Sequence, residues 1–158
     1  MLCRNRFTVN ARPLILVAGL SRDAREMYQE FFLWSGWGVV LAPNGLVAFD
    51  LAVSQQPDIV ATSDRLRPRD GLQFCEQLHA DRRTTHIPVV ILTTATTTLD
   101  LQRARLSGCS TLLLQPTLPP VLLEEARRLI ARARRANSRA KSGAPPRRQR
   151  KRRTSAGR

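Results

Sequence analysis

Five short apolar runs, separated by segments with helical spacing, constrain this chain more than any other feature. "LILVAG", "WGVVLA", "DIVATS", "VVILTT" and "TLLLQ" are too short for buried helices and are bounded by turn residues. Strands that alternate with helices are joined by crossovers, so the pattern predicts a parallel sheet covered on both faces. The expected fold class is α/β, a doubly wound (βα)5 layer sandwich on a five-stranded sheet.

The segments between the runs carry helix punctuation. Ser21 can cap a first helix whose Ala24, Met27, Phe31 and Trp34 recur at three- and four-residue steps, and Gly36 can end it in the left-handed conformation. A turn at Asn44 and Gly45 opens a short second helix that stops before Pro57. A third, in "DGLQFCEQLHADRRTTHIP", turns Leu72, Cys75 and Leu78 inward. The fourth runs from about Leu99 to Ser107 and stops at Gly108; the fifth follows Pro119 and Pro120 and carries Leu122, Ala126, Leu129 and Ala133 on one face.

A length of 158 residues suits one core with an appendage. The formal charge of +14 is unevenly spread: residues 131–158 hold twelve Lys or Arg and no acid, which leaves 14 basic against 12 acidic residues, or +2, for the rest. Past about residue 136 the apolar stripe ends and Pro, Gly and like charges dominate, a composition that buries too little surface to offset chain entropy. The organisation expected is an N-terminal extension over 1–12, a folded domain over 13–135 and a disordered basic tail over 136–158.

Cys3, Cys75 and Cys109 are odd in number and widely spaced, with no His at ligand spacing, which argues against a disulfide framework and a zinc site. Cys75 is read as core. Arg4, Arg6 and Arg12 precede an apolar run of only about eight residues that "SRDARE" cuts off, so it reads as a buried strand, not a leader or a transmembrane segment. A cytoplasmic location is expected.

In their order and spacing, "WSGWGVVLAPNGLVAFDLA", "PDIV", "DGLQFCEQL", "HIPVVILTT", "SGCSTLLLQP" and the closing amphipathic helix resemble the receiver (CheY-like) domain of bacterial response regulators over about residues 13–133. The resemblance implies a flavodoxin-like sheet with its site at the carboxyl ends of the strands. It also implies signalling by phosphorelay: an acidic pair after the first strand and an acceptor Asp bind Mg²⁺, and a Lys before a cis Pro stabilises the phosphoryl group.

The matching positions depart from that pattern. Gly19 and Leu20 stand for the acidic pair, and Gln115 precedes Pro116 where the Lys is implied; the only lysines, Lys141 and Lys151, lie in the tail. Asp23, the nearest acid to the first strand, falls in the first helical turn, where it complements the helix dipole. The hydroxyl that ends the fourth strand is kept as Thr93, and Leu112 stands at the family's aromatic switch position. Without gaps the acceptor position is Ser63; Asp64 takes it only if the register shifts by one, although Pro68 lies four residues after Asp64 as it does after many acceptors. The expectation is a degenerate pseudo-receiver without a conventional phosphoacceptor, cofactor or metal.

Other chemistry is weakly supported. Ser63, His86 and Asp64 do not form a nucleophile elbow, and "VAGLSRDA" has one glycine where a phosphate-binding loop needs several. Function then falls to surfaces. Leu99, Leu101, Leu112 and Leu114 mark a candidate face for a histidine kinase, another signalling protein or a homodimer. In the tail, "RRQRKRR" presents Arg147, Arg148, Arg150, Lys151, Arg152 and Arg153 to nucleic acid, anionic lipid or acidic protein, and the absence of interleaved aromatics predicts sequence-independent binding. Three readings follow: an interaction module that works without phosphorylation, a single-domain regulator phosphorylated on Asp64, and a nucleic-acid-associated protein that uses the fold as a carrier.

Overall fold

The computed structural model describes residues 12–94 and 98–143, with side chains from residue 101 onward in the second stretch. The five predicted strands form as β1 Leu14–Ala18, β2 Gly38–Ala42, β3 Ile59–Ser63, β4 Val89–Thr93 and β5 Thr111–Leu114. Between and after them lie α1 Arg22–Trp34, α2 Gly45–Gln55, α3 Gly71–Ala80, α4 Thr98–Leu106 and α5 Pro119–Ser142. All strand pairs are parallel in the order β2-β1-β3-β4-β5, so the chain winds outward from β1 in both directions.

Alternation along the buried strands divides the core in two. Ile15, Val17, Ile59, Ala61, Val90 and Leu92 face α1 and α5, where they meet Tyr28, Phe32, Leu122, Ala126 and Leu129. Leu16, Ala18, Val60, Val89 and Ile91 face the other layer and meet Ala48, Ala52, Phe74, Cys75 and Leu78.

The capping residues act as their types predict: Ser21 Oγ accepts from Ala24 N at 3.3 Å, Asn44 Oδ1 from Val47 N at 2.9 Å, and Asp70 forms a capping box with Gln73. The predicted face of α1 is rotated, however. Tyr28 and Phe32 are buried, whereas Met27 and Trp34 are exposed, Trp34 by 86%. Tyr28 takes the inward place because its hydroxyl reaches the Thr117 carbonyl at 2.6 Å, which satisfies its polar end inside the core.

The boundary expected at residue 136 also moves. Helix α5 continues to Ser142 and ends at Gly143 in the left-handed conformation (φ 62°). Arg and Ala are strong helix formers, and lengthening a packed helix requires no new nucleation, so the helix outlasts its apolar stripe. The rest of the predicted tail, 144–158, and most of the N-terminal extension lie outside the described residues. No helix among the described residues is long and apolar enough to cross a membrane.

Candidate functional site at the carboxyl edge of the sheet

Strands β3, β4 and β5 end together, with Ser63 beside Leu92 and Thr93 beside Leu114. The β3 ladder continues one residue past the strand, since Asp64 N donates to Leu92 O at 3.1 Å. This brings the Asp64 carboxylate against β4: Thr93 Oγ1 donates to Asp64 Oδ2 at 2.8 Å and Ser63 Oγ to Oδ1 at 3.3 Å. Ser63 itself is buried, and its hydroxyl also accepts from Arg65 N at 3.1 Å, which folds the following loop back on the strand. Of the two candidates, the carboxylate that meets Thr93 is that of Asp64, while Ser63 holds the turn.

Gln115 completes the cluster. Its backbone N donates to Thr93 O at 2.8 Å, its side-chain Nε2 donates to Leu92 O at 3.3 Å, and its peptide bond to Pro116 is cis. Ser63, Asp64, Thr93 and Gln115 therefore gather around the Leu92 carbonyl. Both Gln115 hydrogen bonds go to main-chain oxygens, and the side chain brings a neutral amide where a lysine would bring a charge.

The β1 side of the edge is apolar. Ala18 ends the strand fully buried, Gly19 turns away at φ 72° and Leu20 packs against the core shared with α1 and α5. Leu66 fills the space beside this turn. It is 1% exposed, lies in the core cluster on the α2 and α3 face, and stands so close to Gly19 that a Cβ built there would overlap Leu66 Cδ1. Gly45 borders the same side chain, at 3.4 Å from where a Cβ would lie. The loop that delivers Leu66 is tied at both ends, by Gly45 N to Arg67 O and by Gly71 N to Asp64 O, each at 2.8 Å.

A hard cation such as Mg²⁺ takes oxygen ligands and keeps several waters. Gly19 and Leu20 offer no side-chain oxygen, Asp23 sits in the first turn of α1, and Leu66 fills the space beside Gly19 with hydrocarbon. Among the described residues there is no group of three or more His, Cys, Asp or Glu able to hold a metal ion. The residues present do not fit the cation that the resemblance implies. Leu66 escaped the sequence reading because a single Leu within "DRLRPRDG" looks like a loop residue; the signal was its isolation among charges.

His86 lies in the turn before β4, whereas Ser63 ends β3. In parallel strands these are opposite edges of the sheet, so the triad geometry does not form. On the predicted partner face Leu101 and Leu114 are exposed, by 45% and 57%, and Leu106, Leu118 and Val121, not anticipated from the sequence, are exposed nearby in the chain. Leu112 is half-buried against the core on the α2 and α3 face, so it is partly a packing residue, and the Leu99 side chain lies outside the described residues. Cys75 is core, as expected; a hydrogen bond with Cys109 and then burial push its thiol far above the ordinary range.

The Response regulator receiver domain model matches residues 15–127. The chain is 29% identical over 99 residues to the polar-differentiation response regulator DivK of Brucella anthropi, covering 63% of this chain and 80% of that protein. The DivK of Brucella ovis is 28% identical over the same coverage. Among solved structures, the chemotaxis response regulator CheY4 of Vibrio cholerae superposes with a TM-score of 0.70 at 22% identity, covering 75% of this chain and 99% of that one. A receiver domain protein of Methanospirillum hungatei gives 0.74 at 13% identity, over 80% and 99%. The chain belongs to the response regulator receiver domain family, the signalling modules of two-component systems.

Proposed function

We propose that this receiver domain is a pseudo-receiver: a non-enzymatic, cytoplasmic module that signals by docking on a histidine kinase or another signalling protein, without being phosphorylated. The reading rests on Leu66, buried against Gly19, one of the two positions that the resemblance assigns to the acidic pair. Displacement at phosphorus depends on neutralising charge and positioning the groups, and neither a leucine nor the neutral amide of Gln115 does the former. What the fold retains is surface, and the exposed Leu101, Leu106, Leu114 and Leu118 supply the apolar part of a docking face.

One observation favours a second reading. The Asp64 carboxylate meets the hydroxyl of Thr93, the pairing that a phosphorylated Asp in this family would use, so Asp64 is the acceptor if there is one.

Incubation with acetyl phosphate and Mg²⁺, followed by intact mass and hydroxylamine treatment, separates the two. The proposal expects no hydroxylamine-labile adduct on the full chain, and a protein partner captured equally by the wild type and Asp64→Asn. Stoichiometric labile modification that disappears in Asp64→Asn would overturn it and establish the second reading.

A further inference from the structure

Neither the site at the carboxyl edge nor the docking face uses a sulfur, yet the fold brings two of them together. Cys75 lies in the middle of α3, and Cys109 lies in the turn between α4 and β5. Both thiols are free, and both pack in the core on the α2 and α3 face. Their side chains are hydrogen-bonded to one another, so the two sulfurs are in contact. The seam around them is closed by two more contacts between α3 and the turn. Ser107 Oγ donates to Glu76 Oε1 at 3.2 Å, and the His79 ring rests so close to Gly108 that a Cβ there would overlap it. Three successive residues of the turn, Ser107, Gly108 and Cys109, thus meet Glu76, His79 and Cys75 in turn.

The two thiols are not equivalent. Cys75 is 1% exposed, whereas Cys109 is half-buried and belongs to neither α4 nor β5. Cys109 Sγ donates to the Thr111 carbonyl at 3.1 Å, and the hydrogen bond it accepts from Cys75 holds its thiol below the ordinary range. A thiol that solvent can reach, with a second thiol poised beside it, is the arrangement that a hydroperoxide oxidises to a disulfide. Packing alone asks for no such pair, since a buried Cys serves there as a small apolar residue. Nor do the two join a group of three or more His, Cys, Asp or Glu able to hold a metal ion among the described residues.

We propose that Cys75 and Cys109 form an oxidation site, at which a hydroperoxide converts their contact into a reversible disulfide that ties α3 to the turn before β5. In the first step the Cys109 sulfur attacks one peroxide oxygen. The S–O bond forms, the O–O bond breaks, and the other oxygen leaves as water, or as an alcohol, with the thiol proton. In the second step the Cys75 sulfur attacks the Cys109 sulfenic acid at sulfur. The S–S bond forms, the S–O bond breaks, and the oxygen leaves as water with the Cys75 proton. In all, the thiols give up two electrons and two protons, and the peroxide takes them up. Exchange with other thiols reopens the bond. The disulfide pins the turn that joins α4 to β5, the elements that carry the exposed Leu101, Leu106 and Leu114. Cys109 precedes β5, at the opposite edge of the sheet from Asp64, so the site stands apart from the question of phosphorylation.

The test uses the full chain carrying Cys3→Ser, in which Cys75 and Cys109 are the only cysteines. It is treated with hydrogen peroxide and followed by intact mass, free-thiol titration and peptide mapping. The expected product is a monomer lighter by two hydrogens, with no free thiol and one cross-linked peptide that joins Cys75 to Cys109; dithiothreitol should restore both thiols. The oxidised form should melt at a higher temperature than the reduced form, because the cross-link constrains the unfolded chain. Cys109→Ser in the same background should keep the circular dichroism spectrum and form no intramolecular bond. In the wild type the same cross-linked peptide should appear.

Two free thiols after treatment, oxygens added to Cys109 with Cys75 still reduced, or chains joined to one another would each overturn the proposal. So would a wild type in which Cys3 replaces either partner, or an oxidised form that melts below the reduced one, since the bond would then distort the fold.

Discussion

The two halves of the carboxyl edge have diverged unequally. Around β4 and β5 the chain keeps the family's arrangement: Thr93 at the strand end, a carboxylate hydrogen-bonded to its hydroxyl, and a cis peptide bond before Pro116. Around β1 and its turn Gly19 and Leu20, which match the acidic pair, carry no side-chain oxygen, and Gly19, Gly45 and Leu66 pack together there. The surviving half serves the scaffold as well as the chemistry, since Gln115 N and Asp64 N both extend the sheet by a hydrogen bond beyond its strands. An acidic pair by contrast serves only the cation, because without it two adjacent carboxylates repel one another. On the proposed reading, a module that works without phosphorylation has no use for the pair and keeps its use for the rest.

The comparison makes the β1 side the one that stability depends on more. Leu66→Ala should destabilise the domain by about 2–5 kcal/mol, because it removes a fully buried side chain wedged between two glycines that cannot move in to close the gap. Urea unfolding followed by far-ultraviolet circular dichroism measures this, and a change within about 0.5 kcal/mol, as for an ordinary surface position, would show that the side chain is no part of the core.

Next in size is Gly19→Ala, expected to cost about 1–3 kcal/mol because the new Cβ overlaps Leu66 and the backbone has a positive φ. The two sites are coupled through one volume, so the double variant with Leu66→Ala should lose less than the two single losses added together. Strict additivity would mean that the cost of Gly19→Ala is backbone strain alone.

How much of this was legible depends on whether the determinant is local. Strand runs, the cap at Ser21, the turn at Asn44 and the glycine stops at Gly36 and Gly108 are read from neighbours in sequence, and each appears where its type predicts; Asp70 caps α3 by the same local rule but was not singled out. The rotated face of α1 was not legible, because whether Tyr28 or Met27 points inward is decided by a carbonyl 89 residues away at Thr117. Leu66 was hidden for the same reason: its burial comes from Gly19 and Gly45, which only the sheet brings beside it. The register at Ser63 and Asp64 was ambiguous in the sequence, since the pattern before the site favours one residue and the Pro after it the other. Both serve: Ser63 keeps the strand end and Asp64 meets Thr93.

On the β4 side smaller effects are expected. Thr93→Val retains the β-branched shape and removes the donor to Asp64, for a loss of about 1 kcal/mol, near the net worth of one partly buried hydrogen bond. If the loss instead matches that of Leu66→Ala, the polar half is as structural as the apolar half and the contrast between them fails.

The smallest expected effect concerns a carboxylate held by a different partner. Asp64 is bound by two hydroxyls, whereas Asp81, after α3, is bound by a guanidinium: Arg83 donates to it through its side chain at 2.7 and 3.0 Å and through its backbone N at 2.9 Å. The Arg83 side-chain hydrogen bonds, followed by the backbone one, lower the Asp81 carboxyl from 3.8 to about 2. A carboxyl depressed in the folded state stabilises fully above its unfolded value, and that contribution fades as pH falls from about 4 towards about 2. The pair is open to solvent and close to the surface, so the gain is small and salt should weaken it. Asp81→Asn should therefore lie slightly below the wild type in urea midpoint at neutral pH and low salt, with the gap narrowing as the pH drops below 4. A gap that persists unchanged at low pH would show that the effect of Asp81 does not come from its charge.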